Sequence, residues 1–192
     1  EGGDPLLYEF YGLDLPEDDS GVLQFGTTIL YPGKVGEEYF MTKGHFHTIL
    51  DTSEIYYGLS GRGMMLMETP EGQVDWKEIG PGEALYVPGR WAHRSINTGT
   101  EPLVMFFVYR GDAGHDYGTI EEKGYRKLVV ERGGRPAVID NPTVYLPGKP
   151  ANNTSGYVET TLRSGSYNYR FDWLALTNMG FTVTDDLSAA DV

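Results

Sequence analysis

Apolar and polar residues alternate in short runs along most of the chain, and glycine and proline break each run. Residues 22–31 (VLQFGTTILY) form a strand-like run that stops at Pro32-Gly33, and residues 38–46 continue extended. Further runs over 53–59, 64–68, 74–79, 84–87, 125–131 and 136–139 end at turn signals such as Gly80-Pro81-Gly82 and Pro88-Gly89. Residues 103–109 (LVMFFVY) are apolar on both parities, which predicts a strand inside a layered sheet structure. No long segment before residue 140 has a helical period, and residues 1–20, with their acidic PEDDSG stretch, read as loop. The expected fold is all-β, a β-sandwich or small barrel of antiparallel strands. Residues 143–156 (TVYLPGKPANNTSG) read as a linker. The expected organisation is one domain over 1–142 and a C-terminal extension, 143–192, packing on the body or on a partner subunit.

Composition narrows the function. The 192-residue chain carries 15 Lys+Arg against 28 Asp+Glu, a net charge of −13. Such a surface repels nucleic acid and anionic membranes, so neither is an expected partner. No apolar run approaches the ~20 residues of a membrane span, and no basic-then-apolar leader opens the chain. The absence of Cys excludes a disulfide framework, a thiolate zinc site and a cysteine nucleophile. Gly61-Arg62-Gly63 runs into Met-Met-Leu and does not complete a dinucleotide fingerprint, and no GxSxG elbow occurs.

The chain's four histidines carry the chemical signal. His45 and His47 lie two apart in an extended run, so both imidazoles face the same way. Glu54 lies in the next strand-like run, and His93 follows the Pro88-Gly89 turn at the start of another. Three imidazoles and a carboxylate suit Fe(II), Mn, Zn or Ni better than Mg or Ca. Taken singly, each has an ordinary reading: a polar strand face, a solvated glutamate, a structural histidine. Their joint placement among glycines is what singles them out.

Gly44-His45-Phe46-His47, Glu54 and Gly61 resemble the first cupin motif, and Gly82, Pro88, His93 and Asn97 the second. The fold this implies is the cupin β-sandwich or barrel, a jelly-roll-like double-stranded β-helix. Six residues separate His47 from Glu54, more than in many cupins. That longer gap is normal in a narrower family. TTILYPGKVGEEYFMTKGHFH, TPEGQVDWKEIGPGEALYVPGRWAHRSIN and DAGHDYGTIEEKGY together resemble the cupin-type phosphoglucose isomerases over residues 5–142.

The resemblance implies a metal-dependent enzyme interconverting glucose 6-phosphate and fructose 6-phosphate in glycolysis and gluconeogenesis. It implies His45, His47, Glu54 and His93 as ligands of one divalent metal, Fe2+ first, with Mn2+, Ni2+ or Zn2+ as alternatives. It implies Glu54, His115 and Tyr56 as catalytic residues. Thr28, Thr42 and Gly44 match positions near the substrate phosphate, and Tyr8, Tyr56, Tyr109, His115 and Tyr117 positions lining the sugar. A homodimer in the cytoplasm follows from the same resemblance. Aldose–ketose isomerisation needs an electrophile on O1 or O2. A carboxylate base serves a proton-transfer route, and chelation of both oxygens serves a hydride shift. The residues leave both routes open. They also leave open a cupin oxygenase, which uses histidine and carboxylate ligands of the same kind, and a non-catalytic sugar-binding cupin.

Overall fold

The computed structural model describes residues 6–142. In chain order its elements are β1 (Tyr8–Gly12), β2 (Leu23–Leu30), β3 (Lys34–Val35), β4 (Glu38–Tyr39), β5 (Glu54–Ser60), β6 (Gly63–Glu68), β7 (Val74–Ile79), β8 (Ala84–Val87), β9 (Ala92–Asn97), β10 (Leu103–Arg110), α1 (Gly118–Lys123), β11 (Lys127–Arg132) and β12 (Arg135–Asp140). Within residues 1–20, β1 replaces the expected loop. It pairs antiparallel with β2, setting Tyr8 opposite Leu30. The helix α1 has only six residues, too short to leave a helical period in the sequence.

The strands form three sheets: a large one in the order β1-β2-β10-β5-β8, a middle one in the order β7-β6-β9, and a third in the order β12-β11-β4-β3. The middle sheet is packed on both sides. All six positions of β6 are buried, and so are all six of β9. Met65 and Met67 meet Leu30, Tyr56, Leu103 and Met105 of the large sheet. Met64 and Leu66 point the other way, onto Ile120, Tyr125 and Val129. The unbranched methionines suit a strand that must fill gaps on two faces at once.

Asn97, at the end of β9, ties the layers together. Its Nδ2 donates to the carbonyls of Leu30 and Glu101, each at 2.8 Å, and its Oδ1 accepts from the Gly99 N–H. Glu68 is fully buried, and its carboxylate takes Lys123 Nζ at 2.5 Å and the Arg126 backbone N–H at 2.7 Å. That bond network fastens α1 and the start of the β11–β12 hairpin to the middle sheet.

Strand β10 is the central strand of the large sheet, as its apolar run predicts, but its two faces differ. Leu103 and Met105 are buried inward, whereas Val104, Phe106 and Val108 are only half-buried on the outer face. The register carries that outer row across the sheet: Val108 lies opposite Phe25 and Ile55, and Ile55 opposite Tyr86. Ile55, Tyr57 and Tyr86 are exposed. Among the described residues, the strands buried on both faces are β6, which is mostly apolar, and β9, which carries His93, Arg94, Ser95 and Asn97, rather than β10.

Candidate metal centre and active site

The extended segment that carries His45 and His47 leaves the third sheet after β4 and runs along β9. Met41 bridges to Ile96, the Thr42 N–H donates to the Ser95 carbonyl, and His45 and His93 exchange backbone hydrogen bonds at 3.3 and 3.1 Å. That pairing sets His45 beside His93, their ring centroids 4.7 Å apart. Gly44 makes the approach possible. Its φ is +76°, and a Cβ there would stand 2.8 Å from the His93 carbonyl oxygen and 2.5 Å from Tyr125 Oη.

Glu54 arrives from the large sheet, at the start of β5, opposite Tyr109 of β10 and Val87 of β8. The inward parity of the large sheet places Glu54, Tyr56, Tyr109 and Thr28 on the same face as Leu30 and Met105. One potential ligand atom each from His45, His47, Glu54 and His93 lie within 4.8 Å of one another. Glu54 Oε2 is 3.1 Å from His47 Nε2 and 2.9 Å from His93 Nε2.

The hydrogen-bonding around this group points to a cation. His47 Nδ1 lies 3.0 Å from the Thr52 carbonyl oxygen, an acceptor that requires a proton on Nδ1. In the neutral ring the Nε2 lone pair then faces the Glu54 carboxylate, which is repulsive unless positive charge sits between them. His45 Nε2 is buried with no hydrogen-bond partner among the described residues. Burial, followed by the neighbouring His93 and His115, pushes the His45 pKa well below its ordinary value. Burial opposes ionisation of Glu54, but His93, His47 and His45 outweigh it and hold the carboxyl well below the usual range. A neutral His45 and an ionised Glu54 are protonation states that a metal ion requires.

His115 and Tyr117 come from the loop between β10 and α1. Phe46 and Asp116 pair their backbones and hold that loop over the histidine segment. The His115 ring lies 4.4 Å from His45, 5.1 Å from Tyr109 and 5.9 Å from Tyr117, on which it stacks. Withdrawal from water lowers its pKa to about 4, so it is neutral at pH 7. Tyr56 is buried with its ring 5.7 Å from His93, and burial raises its pKa well above the usual phenol value, with Glu54 adding to the rise. Tyr8 packs against the inner core from β1. Thr42 lies on the ligand segment itself, where its Oγ1 accepts from the Ser95 N–H at 3.0 Å.

The structure thus brings His45, His47, Glu54, His93, His115, Tyr56, Tyr109 and Tyr117 to one place. Thr42 and Gly44 adjoin it on the chain, and Thr28 and Tyr8 lie on the same inward side of the large sheet. Two residues that motif spacing did not single out are Thr52, against His47, and Lys43. Lys43 bonds Glu121, and its Nζ lies 5.2 Å over the Tyr117 ring. The signal for Thr52 was the long gap between His47 and Glu54.

An antiparallel β-sandwich with three imidazoles and a carboxylate clustered between its sheets is a cupin-like protein. An oxalate oxidase solved with the substrate analogue glycolate shares the fold, with a TM-score of 0.50 over 65% of this chain and 63% of that one at 15% identity. A family model for glucose-6-phosphate isomerase matches residues 3–144. The glucose-6-phosphate isomerase of Thermococcus kodakarensis is 55% identical over 139 residues, 72% of this chain and 73% of that protein. That of Pyrococcus furiosus is 53% identical over 142 residues, 74% and 75% of the two chains. The chain belongs to the glucose-6-phosphate isomerase family, and it is an isomerase of cupin type.

Proposed function

We propose that the chain interconverts glucose 6-phosphate and fructose 6-phosphate at a centre where His45, His47, Glu54 and His93 hold one divalent metal ion, Fe2+ by preference and Mn2+, Ni2+ or Zn2+ as substitutes. The observation that carries the reading is the four-residue donor cluster with its unsatisfied His45 Nε2. A bound ion supplies the electrophile for oxygens on C1 and C2 while hydrogen moves between those carbons. Mixed nitrogen and oxygen donors suit such a transition metal.

The other roles follow from the protonation states. Glu54, ionised, is a ligand and, in a proton-transfer route, the carboxylate that takes the proton. Tyr56 keeps its phenolic proton and serves as a donor. His115, neutral at pH 7, offers both a donor and an acceptor nitrogen for ring opening. The Thr42 hydroxyl already accepts from Ser95, so its own proton is left to donate to a phosphate oxygen, alongside Thr28 and the Gly44 N–H. Tyr8, Tyr109 and Tyr117 line the sugar, each offering a ring face and a hydroxyl.

The outer face of the large sheet, with half-buried Phe25, Phe106 and Val108 and exposed Ile55, Tyr57 and Tyr86, supports a homodimer in which a second copy covers it. The isomerase unit ends near residue 142, in keeping with the family match over 3–144. The expected extension, 143–192, lies outside the described residues. Among those residues no helix is long and apolar enough to cross a membrane, and a cytoplasmic setting fits a glycolytic substrate.

The test is turnover of fructose 6-phosphate by the full chain before and after chelation, with each ion added back alone. Loss on chelation and recovery with one ion supports the proposal. No turnover with any ion refutes it, and oxygen uptake with Fe2+ would assign the same centre to oxygenase chemistry.

A further inference from the structure

The loop between His47 and Glu54 spans residues 48–53 and is built as a support. Thr52 folds back over it: its N–H and its hydroxyl both donate to the Ile49 carbonyl, at 3.0 and 2.7 Å. A hydroxyl has one proton, so Thr52 Oγ1 can only accept at its other contact, His47 Nδ1, 2.8 Å away. The Thr52 carbonyl accepts at the same nitrogen from 3.0 Å. Two acceptors converge on Nδ1, and both require it to carry the proton.

The loop is pinned from outside by the turn that precedes His93. The Arg90 N–H donates to the Leu50 carbonyl at 2.5 Å, and the Gly89 N–H donates to Ser53 Oγ at 3.1 Å. A Cβ on Gly89 would stand 2.7 Å from the Asp51 backbone, so only glycine permits this approach. His93 has one acceptor behind its ring where His47 has two, the Trp91 carbonyl oxygen 3.3 Å from its Nδ1. His47 and Thr52 are both buried.

We propose that Thr52 is a positioning residue, whose hydroxyl and carbonyl together fix His47 in the Nδ1–H tautomer and so aim its Nε2 lone pair at Glu54 and the other ligands. The inference rests on the metal-centre reading above. It assigns the six-residue loop a function, which is to place an acceptor pair behind one ligand.

Zinc is the probe, because it is diamagnetic and takes this donor set. Chelator competition on the full chain should show Thr52→Val, which keeps the shape and removes the hydroxyl, raising the zinc Kd about tenfold, with Thr52→Ser restoring it to within about threefold of wild type. KM for fructose 6-phosphate at saturating metal should not move. Equal zinc affinity in wild type and Thr52→Val would overturn the inference and leave the metal centre standing. Should the valine variant fail to fold, nitrogen NMR of the zinc-loaded wild type still decides. An exchange-protected proton on His47 Nδ1 upholds the assignment, and zinc bound at Nδ1 overturns it. Wild-type protein that binds no metal overturns the metal-centre reading itself, a result distinct from the other two.

Discussion

Glu38 is a buried carboxylate that the chemistry does not use, and it ties stability to pH. It sits on β4 opposite Val35 and Val130, 9% exposed. Burial raises its pKa to about 7, and Arg94 only partly offsets that rise. The folded protein therefore holds a proton on Glu38 at pH values where the unfolded chain has released it. For a raised carboxyl the stabilising contribution is complete below the unfolded pKa, near 4.5, and is lost as pH climbs through the folded value, near 7. Between pH 5 and pH 8 the linkage amounts to about 2.5 kcal/mol. Glu38→Gln removes the titration while keeping the shape. Urea denaturation in chelator, at fixed protein concentration, should show wild type losing about 2.5 kcal/mol more than the variant over that interval, or about 1 M in midpoint. Taking the difference between the two proteins cancels every other titrating group. Parallel stability curves for wild type and variant would show that Glu38 is ionised in the folded state and would refute the reasoning.

Further outcomes are expected. His93→Ala should lose both metal and turnover with the far-ultraviolet dichroism of wild type, and metal analysis showing one ion per chain retained would refute its place as a ligand. Gly44→Ala combines a φ of +76° with contacts of 2.5 to 2.8 Å against Tyr125, Arg94 and His93. It should cost about 2 kcal/mol or more by denaturant melts and weaken metal binding as the His45 segment shifts. Lys123→Met leaves the fully buried Glu68 with Arg126 alone, and a loss of about 2 kcal/mol is expected; unchanged stability would mean Arg126 suffices.

Local spacing made much of this molecule legible. His45 and His47 share a face because a strand repeats every two residues. The glycine and proline turns delimit β5 to β8 to within a residue or two. What stayed hidden depended on partners far along the chain. β1 is a strand because Tyr8 pairs with Leu30, and an acidic loop beside it masks the alternation. Residues 38–46 are extended in part, with the backbone turning at Gly44, and only Glu38–Tyr39 join a ladder, because the rest crosses from one sheet to another through single bridges. The two-sided apolar pattern of β10 marks a central strand. It could not tell a core-facing row from one left open at the surface, since Leu103, Met105 and Phe107 on one side are no more apolar in type than Val104, Phe106 and Val108 on the other. Likewise, no spacing rule shows that Thr52 stands behind His47; only the folded loop does.

Two fastenings join the large and middle sheets at opposite ends of β9. At one end Asn97 clasps Leu30 and Glu101 with neutral hydrogen bonds that need nothing from outside. At the other, His93 faces Glu54 across the sheets, its Nε2 2.9 Å from Glu54 Oε2. The two sheets are therefore fastened at one end of β9 by bonds that no change of pH can titrate, and at the other by a contact between two ionisable side chains.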